Sequence, residues 1–271
     1  MTLPAEVAPS VLLETAVKAA RTAGLHALNN RHRKSETVLV AAHDVKLKLD
    51  LECQAIAEGI VREAYPRHAI LSEESADKGQ PACNPHESPF MWIIDPIDGT
   101  VNFTHGMPWW CCSVAVTHHG QSLAGAVFAP SFNELFTAAR GGRSHCNGQP
   151  ISVSGVETLK ESMILTGLDQ KLTTNMPRLA LFRDIADTVQ KARVMGAAAL
   201  DLCRVASGQA EGYFETGVYT WDVAAGSLIV EMAGGRSETL SEPSPHQIFH
   251  MATNSAIHDE FKGFLKSRLN I

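Results

Sequence analysis

A layered α/β fold, with helices covering sheets on both sides, is the class this sequence predicts. Amphipathic helical runs alternate with short apolar strand runs towards both ends of the chain. Between them, Cys112 to Ala139 is rich in strand-forming residues and broken by turn residues. Acidic residues also follow apolar runs repeatedly. Glu73-Glu74 comes after Ala69–Leu71, Asp95 and Asp98 come after Phe90–Ile94, and Asp222 comes after Trp221.

In chain order, Ser10 could cap a helix carrying Leu12, Leu13, Ala16, Val17 and Ala20, running to about Asn29 or Asn30. The stretch from Lys34 to His43 reads as loop or short strand. A second helix begins near Leu49, is marked by Ile56, Ile60 and Val61, and stops before Pro66. A short strand, Ala69–Leu71, precedes a loop over Asp77–Pro89 that holds Gly79, Pro81, Pro85 and Pro89. Strands Cys112–Thr117, Ser122–Ala129 and Glu134–Ala139 then form an antiparallel meander. From Ser162 the rhythm alternates again. Strands at Met163–Thr166, Arg193–Met195 and Gly212–Phe214 interleave with helices at Arg178–Gln190, Ala197–Ser207 and Asp222–Met232. A strand at Phe249–Thr253 and a helix at Ile257–Leu269 close the chain. No linker-like composition divides it, so residues 1–271 read as one domain of two packed halves, approximately 1–158 and 159–271.

The 271 residues are 45% hydrophobic and 19% charged, ordinary values for a soluble globular enzyme. A net charge of −6 and the lack of long basic runs argue against nucleic acid as the main ligand. No apolar run approaches the ~20 residues of a membrane span, and Met1–Glu6 has no signal-like pattern, which makes the cytoplasm the expected compartment. The six cysteines lack CxxC spacing and read as small buried thiols. His118, His119 and His145 lack i+3 or i+4 partners and read as loop residues rather than ligands, and Trp109-Trp110 reads as packing.

The acids carry the chemistry. Trp92-Ile93-Ile94-Asp95-Pro96-Ile97-Asp98-Gly99-Thr100 is an apolar strand ending in two carboxylates, followed by amides that could face an anion. Pro96 stops the strand, so both acids fall in a tight turn. Singly these are turn and cap residues. Together, with Asp50 near a helix start, their mutual repulsion calls for a cation, and hard oxygen ligands suit Mg²⁺.

Glu73-Glu74-Ser75, Trp92 through Phe103, Gly196 through Asp201 and Trp221-Asp222-Val223-Ala224-Ala225-Gly226 resemble the signatures of the inositol monophosphatase family. The resemblance implies an αβαβα sandwich of the inositol monophosphatase and fructose-1,6-bisphosphatase type, and hydrolysis of a phosphate monoester. It implies two or three Mg²⁺ ions per subunit, held by Glu73, Asp95, Asp98, Asp222 and the Ile97 carbonyl, with Glu74 supporting Glu73 or a weaker ion. Thr100, hydrogen-bonded towards Asp50, would orient the attacking water, with Glu73 as a further catalytic group. Gly99 and Thr100 would hold phosphate, while Gly196, Ala197, Glu215, Asp98 and Asp222 would contact the alcohol. Inositol 1-phosphate or a related polyol phosphate is the implied substrate, and lithium sensitivity and a homodimer are implied as well. Related alternatives are 3′-phosphoadenosine 5′-phosphate, fructose 1,6-bisphosphate and histidinol phosphate as substrates, or a regulatory binding protein on the same fold. Where relatives often carry Ser or Thr, this chain has Ala197, and its approach to Asp50 is Asp44-Val45-Lys46-Leu47-Lys48-Leu49 rather than Thr-rich.

Overall fold

A computed structural model describes residues 7–40, 45–76, 89–167 and 177–269. The expectations made for Met1–Glu6, for Asp44 and for most of the loop after Asp77 lie outside them. The first half holds α1 (Pro9–Asn29), β1 (Thr37–Val40), β2 (Val45–Leu47), α2 (Lys48–Ala64), β3 (Ala69–Ser72) and the single turn α3 (Glu73–Ala76). It continues through β4 (Phe90–Asp98), α4 (Thr100–His105), β5 (Cys111–His118), β6 (Gln121–Ala129), β7 (Glu134–Ala139), β8 (His145–Cys146) and β9 (Gln149–Pro150). The second half holds β10 (Met163–Thr166), α5 (Pro177–Thr188), β11 (Lys191–Val194), α6 (Ala198–Ala206) and β12 (Gly212–Tyr219). It ends with α7 (Thr220–Met232), β13 (Arg236–Ser244), β14 (Gln247–Thr253) and α8 (His258–Leu269).

Strands β3 to β9 form a seven-stranded sheet in sequence order, and β11-β10-β12-β14-β13 form a five-stranded one. The period-2 rule assigns each face. Trp92, Ile94, Val114 and Val116 pack under α1 and α2, while Met91, Ile93 and Ala115 face α6 and α7. In the second sheet, Leu165, Tyr213 and Ala252 face the same two helices. Ile164, Phe214 and Met251 turn outward beneath α5 and α8. The layers are therefore α1/α2, sheet, α6/α7, sheet, α5/α8: the αβαβα sandwich.

The middle layer explains the small residues of α7. A helix enclosed on both sides is apolar nearly all round, and Ala225, Leu228, Ile229 and Val230 are fully buried. Gly226 lies so close to α6 that a Cβ there would meet Leu202 at 2.7 Å.

Three differences from the expected elements share one cause. The strand expected at Arg193–Met195 is β11, two residues earlier; β1 and β2 form a hairpin; and β13 was not anticipated. Each is an edge or isolated strand, held by main-chain pairing and carrying little buried alternation to read.

Candidate active site

Strand register brings the first carboxylates together. Strands β3 and β4 run parallel with Ser72 opposite Ile94, so the next residues, Glu73 and Asp95, emerge side by side. On its other edge β4 pairs with β5, Asp95 opposite Ser113 and Asp98 opposite Cys111, an irregularity centred on Pro96-Ile97. Pro96 cannot donate a ladder bond, and the extra residue bends the strand so that both acids stay buried at its end. Gly99 then turns with φ +88°, where a Cβ would strike the Trp109 carbonyl at 2.9 Å. Helix α4 starts there, with its first intrahelical bond running from Phe103 N–H to Gly99 O. The Gly99 and Thr100 amides precede that bond and so have no partner within the helix.

Two further acids arrive by one device used twice. Asp50 is the third residue of α2 and accepts from Leu47 N–H at 2.6 Å; Asp222 is the third residue of α7 and accepts from Tyr219 N–H at 2.7 Å. Each carboxylate thus caps its own helix through one oxygen, which aims the rest of the group at the strand ends. Asp222 comes within hydrogen-bonding reach of Asp95, a contact between two acids that a shared proton or a cation must mediate.

Asp98 is held differently. Its Oδ1 and Oδ2 accept from the amides of Ala198 (3.2 Å) and Ala199 (2.8 Å), and the Cys111 thiol donates to Oδ2 at 3.4 Å. The end of β4 therefore anchors the start of α6 in the other half. Asn102 adds a second bridge, its amide nitrogen lying 2.8 Å from both the Trp109 and Met195 carbonyls and 3.2 Å from that of Gly196.

The electrostatics are those of crowded acids. Burial first, then the neighbouring carboxylates, push Glu73 and Asp95 well above the usual carboxylate range. Burial and then Asp98 do the same to Asp222, while Asp98 itself, steadied by α6 amides, rises only to about 6. Asp95 Oδ1 is buried and finds no hydrogen-bond partner among the described residues. Glu74 pairs with Lys46, its carboxylate 3.4 Å from the ammonium, and donates its amide to Gln54 Oε1, while its charge adds to the crowding at Glu73.

No three His, Cys, Asp or Glu side chains among the described residues form a ready metal cage. The donor set nevertheless fits Mg²⁺, which takes one or two carboxylates and completes its octahedron with water and phosphate oxygen. An orphaned buried carboxylate oxygen among acids held above their normal pKa is what such an ion would relieve. Glu73, Asp95, Asp98 and Asp222 could hold it, joined by the Ile97 carbonyl. One detail departs from expectation: the Thr100 hydroxyl donates to Ile97 O at 2.8 Å rather than towards Asp50.

The remaining expected residues line the second half of the site. Glu215 follows Phe214 on β12, beside Gly167, which follows Thr166 on the parallel neighbour β10. Any Cβ on Gly167 would overlap the Glu215 carboxylate, and Tyr213 donates its hydroxyl to Glu215 Oε2 at 2.8 Å. Gly196 and Ala197 form the turn into α6, with Gly196 at φ +79°.

Sequence reasoning missed Asn102, Asp201 and Arg204. Trp109 donates its indole N–H to the buried Asp201 at 2.9 Å, and Arg204 stacks between Trp109, Phe132 and Phe136 while pairing with Glu134. A polar side chain on the short helix after Gly99-Thr100 was the only available signal for Asn102, and its partners in the second half, Met195 and Gly196, lie 93 and 94 residues away.

Comparison with known proteins matches residues 8–266 to the model of the inositol monophosphatase family. The chain belongs to the inositol monophosphatase family. It is 38% identical over 227 residues to Nus factor SuhB of Pasteurella multocida, covering 83% of each chain. It is 36% identical to the inositol-1-monophosphatase of a Synechocystis strain, covering 81% of this chain and 76% of that one. Among solved structures, inositol monophosphatase from Anabaena superposes with a TM-score of 0.79 at 32% identity, over 95% of this chain and 96% of the other. The extragenic suppressor protein SuhB of Bartonella henselae gives 0.83 at 30%, over 94% and 98%. Family membership supports a phosphatase activity and leaves the substrate open. No described helix is long and apolar enough to cross a membrane.

Proposed function

We propose that the chain hydrolyses a phosphate monoester, inositol 1-phosphate or a related polyol or sugar phosphate, with Mg²⁺ as cofactor. The observation that carries this reading is the crowding of Glu73, Asp98 and Asp222 around the buried Asp95, whose Oδ1 has no hydrogen-bond partner among the described residues, on the strand end that leads into Gly99 and Thr100. Glu73, Asp95, Asp98, Asp222 and the Ile97 carbonyl would hold Mg²⁺, which supplies charge neutralisation at the phosphate and a more acidic attacking water. A carbonyl has two lone pairs, so Ile97 can serve both an ion and Thr100.

The residues themselves have separable tasks. The Gly99 and Thr100 amides bind phosphate oxygens. Because the Thr100 hydroxyl proton is committed to Ile97, its lone pairs are left to accept from the attacking water and aim it in line. Asp50 and Glu73 flank that position as proton acceptors. Glu215, pinned by Tyr213 and Gly167, accepts hydroxyls of the leaving alcohol, and the Gly196-Ala197 turn, fixed by Asn102, forms the opposite wall. We assign the chain to the cytoplasm and to a homodimer, for which exposed Val101 and Met107 beside α4 provide apolar surface.

A phosphatase screen over inositol, sugar, nucleotide and histidinol phosphates tests the reading. Activity should appear with Mg²⁺, vanish with EDTA and be lost in Asp95→Asn. Full turnover after EDTA would overturn it. A second reading, a binding role on the same fold, is favoured by the name Nus factor SuhB that several relatives carry. A catalytically dead chain that still engages a macromolecular partner would support that role.

A further inference from the structure

Neighbouring side chains on β2 point to opposite faces. Leu47 is fully buried in the core that α1 and α2 share. Lys46 therefore turns the other way, towards the single turn α3 that carries Glu73 and Glu74. Its ammonium lies 3.4 Å from the Glu74 carboxylate, with the two side chains only 14% and 6% exposed. Two residues further on, Lys48 shows the ordinary lysine arrangement, 61% exposed and 3.9 Å from Glu36. A lysine is costly to take out of water, and a buried ion pair adds little stability over an apolar one. What Lys46 contributes is a fixed local charge.

The turn itself is held by other bonds. The Ser72 hydroxyl donates to Glu58 at 3.0 Å, Glu74 N–H donates to Gln54 Oε1 at 3.1 Å, and Gln54 Nε2 donates to Ser75 Oγ at 2.8 Å. These contacts fix the chain on both sides of Glu73 without Lys46. The lysine charge nevertheless reaches the acids. Burial, then Asp222, Glu74 and Asp50, raise the Glu73 pKa, and Lys46 lowers it.

One positive charge fixed beside crowded carboxylates has two opposite consequences. In the metal-free chain it offsets their repulsion. Towards an incoming Mg²⁺ it is a like charge, and it engages a Glu74 carboxylate that would otherwise add to the attraction. We propose that Lys46 is a built-in countercharge of the carboxylate cluster, which stabilises the metal-free chain and weakens Mg²⁺ binding, and so sets the Mg²⁺ concentration to which the site responds. The inference rests on the Mg²⁺ reading above and gives Lys46 no contact with substrate.

The test is a calorimetric titration of the EDTA-stripped full-length chain with MgCl₂, paired with melting curves. Lys46→Met keeps the length of the side chain and removes the charge. It should bind Mg²⁺ ~10-fold more tightly than the wild type, since a like charge nearby is gone. In EDTA it should melt roughly 3 °C lower, and its rise in melting temperature on adding Mg²⁺ should exceed that of the wild type. Lys46→Gln, a second neutral variant, should shift both readouts the same way and decides the matter if Lys46→Met does not fold. Lys46→Arg keeps the charge and should match the wild type. Glu74→Gln leaves the ammonium without that carboxylate and should weaken Mg²⁺ binding ~10-fold. A lysine that merely held the turn would give weaker Mg²⁺ binding when replaced. Unchanged or weaker binding in the folded neutral variants would therefore overturn the proposal, as would Lys46→Arg behaving like Lys46→Met. A wild-type chain that gives no Mg²⁺ heat would overturn the cofactor reading and this inference with it, so the wild-type titration tells the two failures apart.

Discussion

Helix α7 has a polar cluster at each of two places, and they are built on opposite principles. At its N-terminus, Asp222 joins Glu73, Asp95 and Asp98, acids that raise one another's pKa and leave Asp95 Oδ1 without a partner. Along its flank, Ser227 joins Ser237, Thr239 and a neutral His250, each in contact with a group of complementary hydrogen-bonding capacity. The first cluster has a buried oxygen that finds no partner among the described residues; the second is complete around the imidazole. Buried like charges are costly unless something opposite arrives, whereas hydroxyls and an imidazole can satisfy each other. Unsatisfied polarity thus marks where chemistry is to be supplied from outside.

The largest expected effect lies in the acidic cluster. Asp95→Asn should lower kcat on the order of 10³-fold, since it removes a carboxylate at the heart of the site. The same change should raise the melting temperature of the EDTA-treated protein, because one of the mutually repelling charges is gone. A variant destabilised in EDTA would show that the acids are mutually satisfied after all, and the contrast would collapse.

The flank offers the reverse experiment. His250 has a folded pKa of about 4 against an unfolded value of 6.5. A depressed histidine contributes stability above pH 6.5 that is lost as the pH falls towards 4, because only the unfolded chain takes up the proton. The loss should be about 3 kcal/mol across that window. In His250→Gln this part of the acid limb should flatten in urea titrations between pH 7 and pH 4.5. An unchanged slope would assign it to other groups.

Thr100→Ala should lower kcat by ~10²-fold while leaving the Mg²⁺ affinity nearly intact, a loss confined to the transition state. If calorimetry showed Mg²⁺ binding failing too, the Thr100–Ile97 bond would be holding the ligand set rather than the water. The smallest effect concerns the alcohol side. Glu215→Gln should cost about 1–3 kcal/mol in kcat/KM on a polyol phosphate. It should cost less on p-nitrophenyl phosphate, whose leaving group has no hydroxyls. Equal losses would place Glu215 in support of the acids and sharpen the boundary of that cluster.

Much of this architecture was legible in the chain. Alternating Met91/Ile93 against Trp92/Ile94 marks a strand buried on both faces, and helical spacing marks α1 and α2 because one face of each is buried. The acids announced themselves because Asp95, Asp98 and Asp222 sit at abrupt ends of apolar runs. Edge strands β11 and β13 were misplaced or missed because main-chain pairing leaves little trace in side-chain pattern. Asn102, Asp201 and Arg204 were missed because each is polar in an ordinary way until its distant partner is known.

By itself, then, the sequence determined which segments are buried, where the strands end and which residue types stand there, all consequences of local periodicity and of Pro and Gly backbone limits. Only the tertiary structure decided that Glu73 lies beside Asp95, that Asp98 caps α6 across the two halves, and that Gly167 makes room for Glu215. It alone decided that Thr100 turns its proton to Ile97, and that His250 sits between the Ser227 and Ser237 hydroxyls on the flank of α7. The reason is physical. Register, long-range hydrogen bonds and the charge on a buried group depend on which distant atoms arrive nearby, and no local window of the chain contains them.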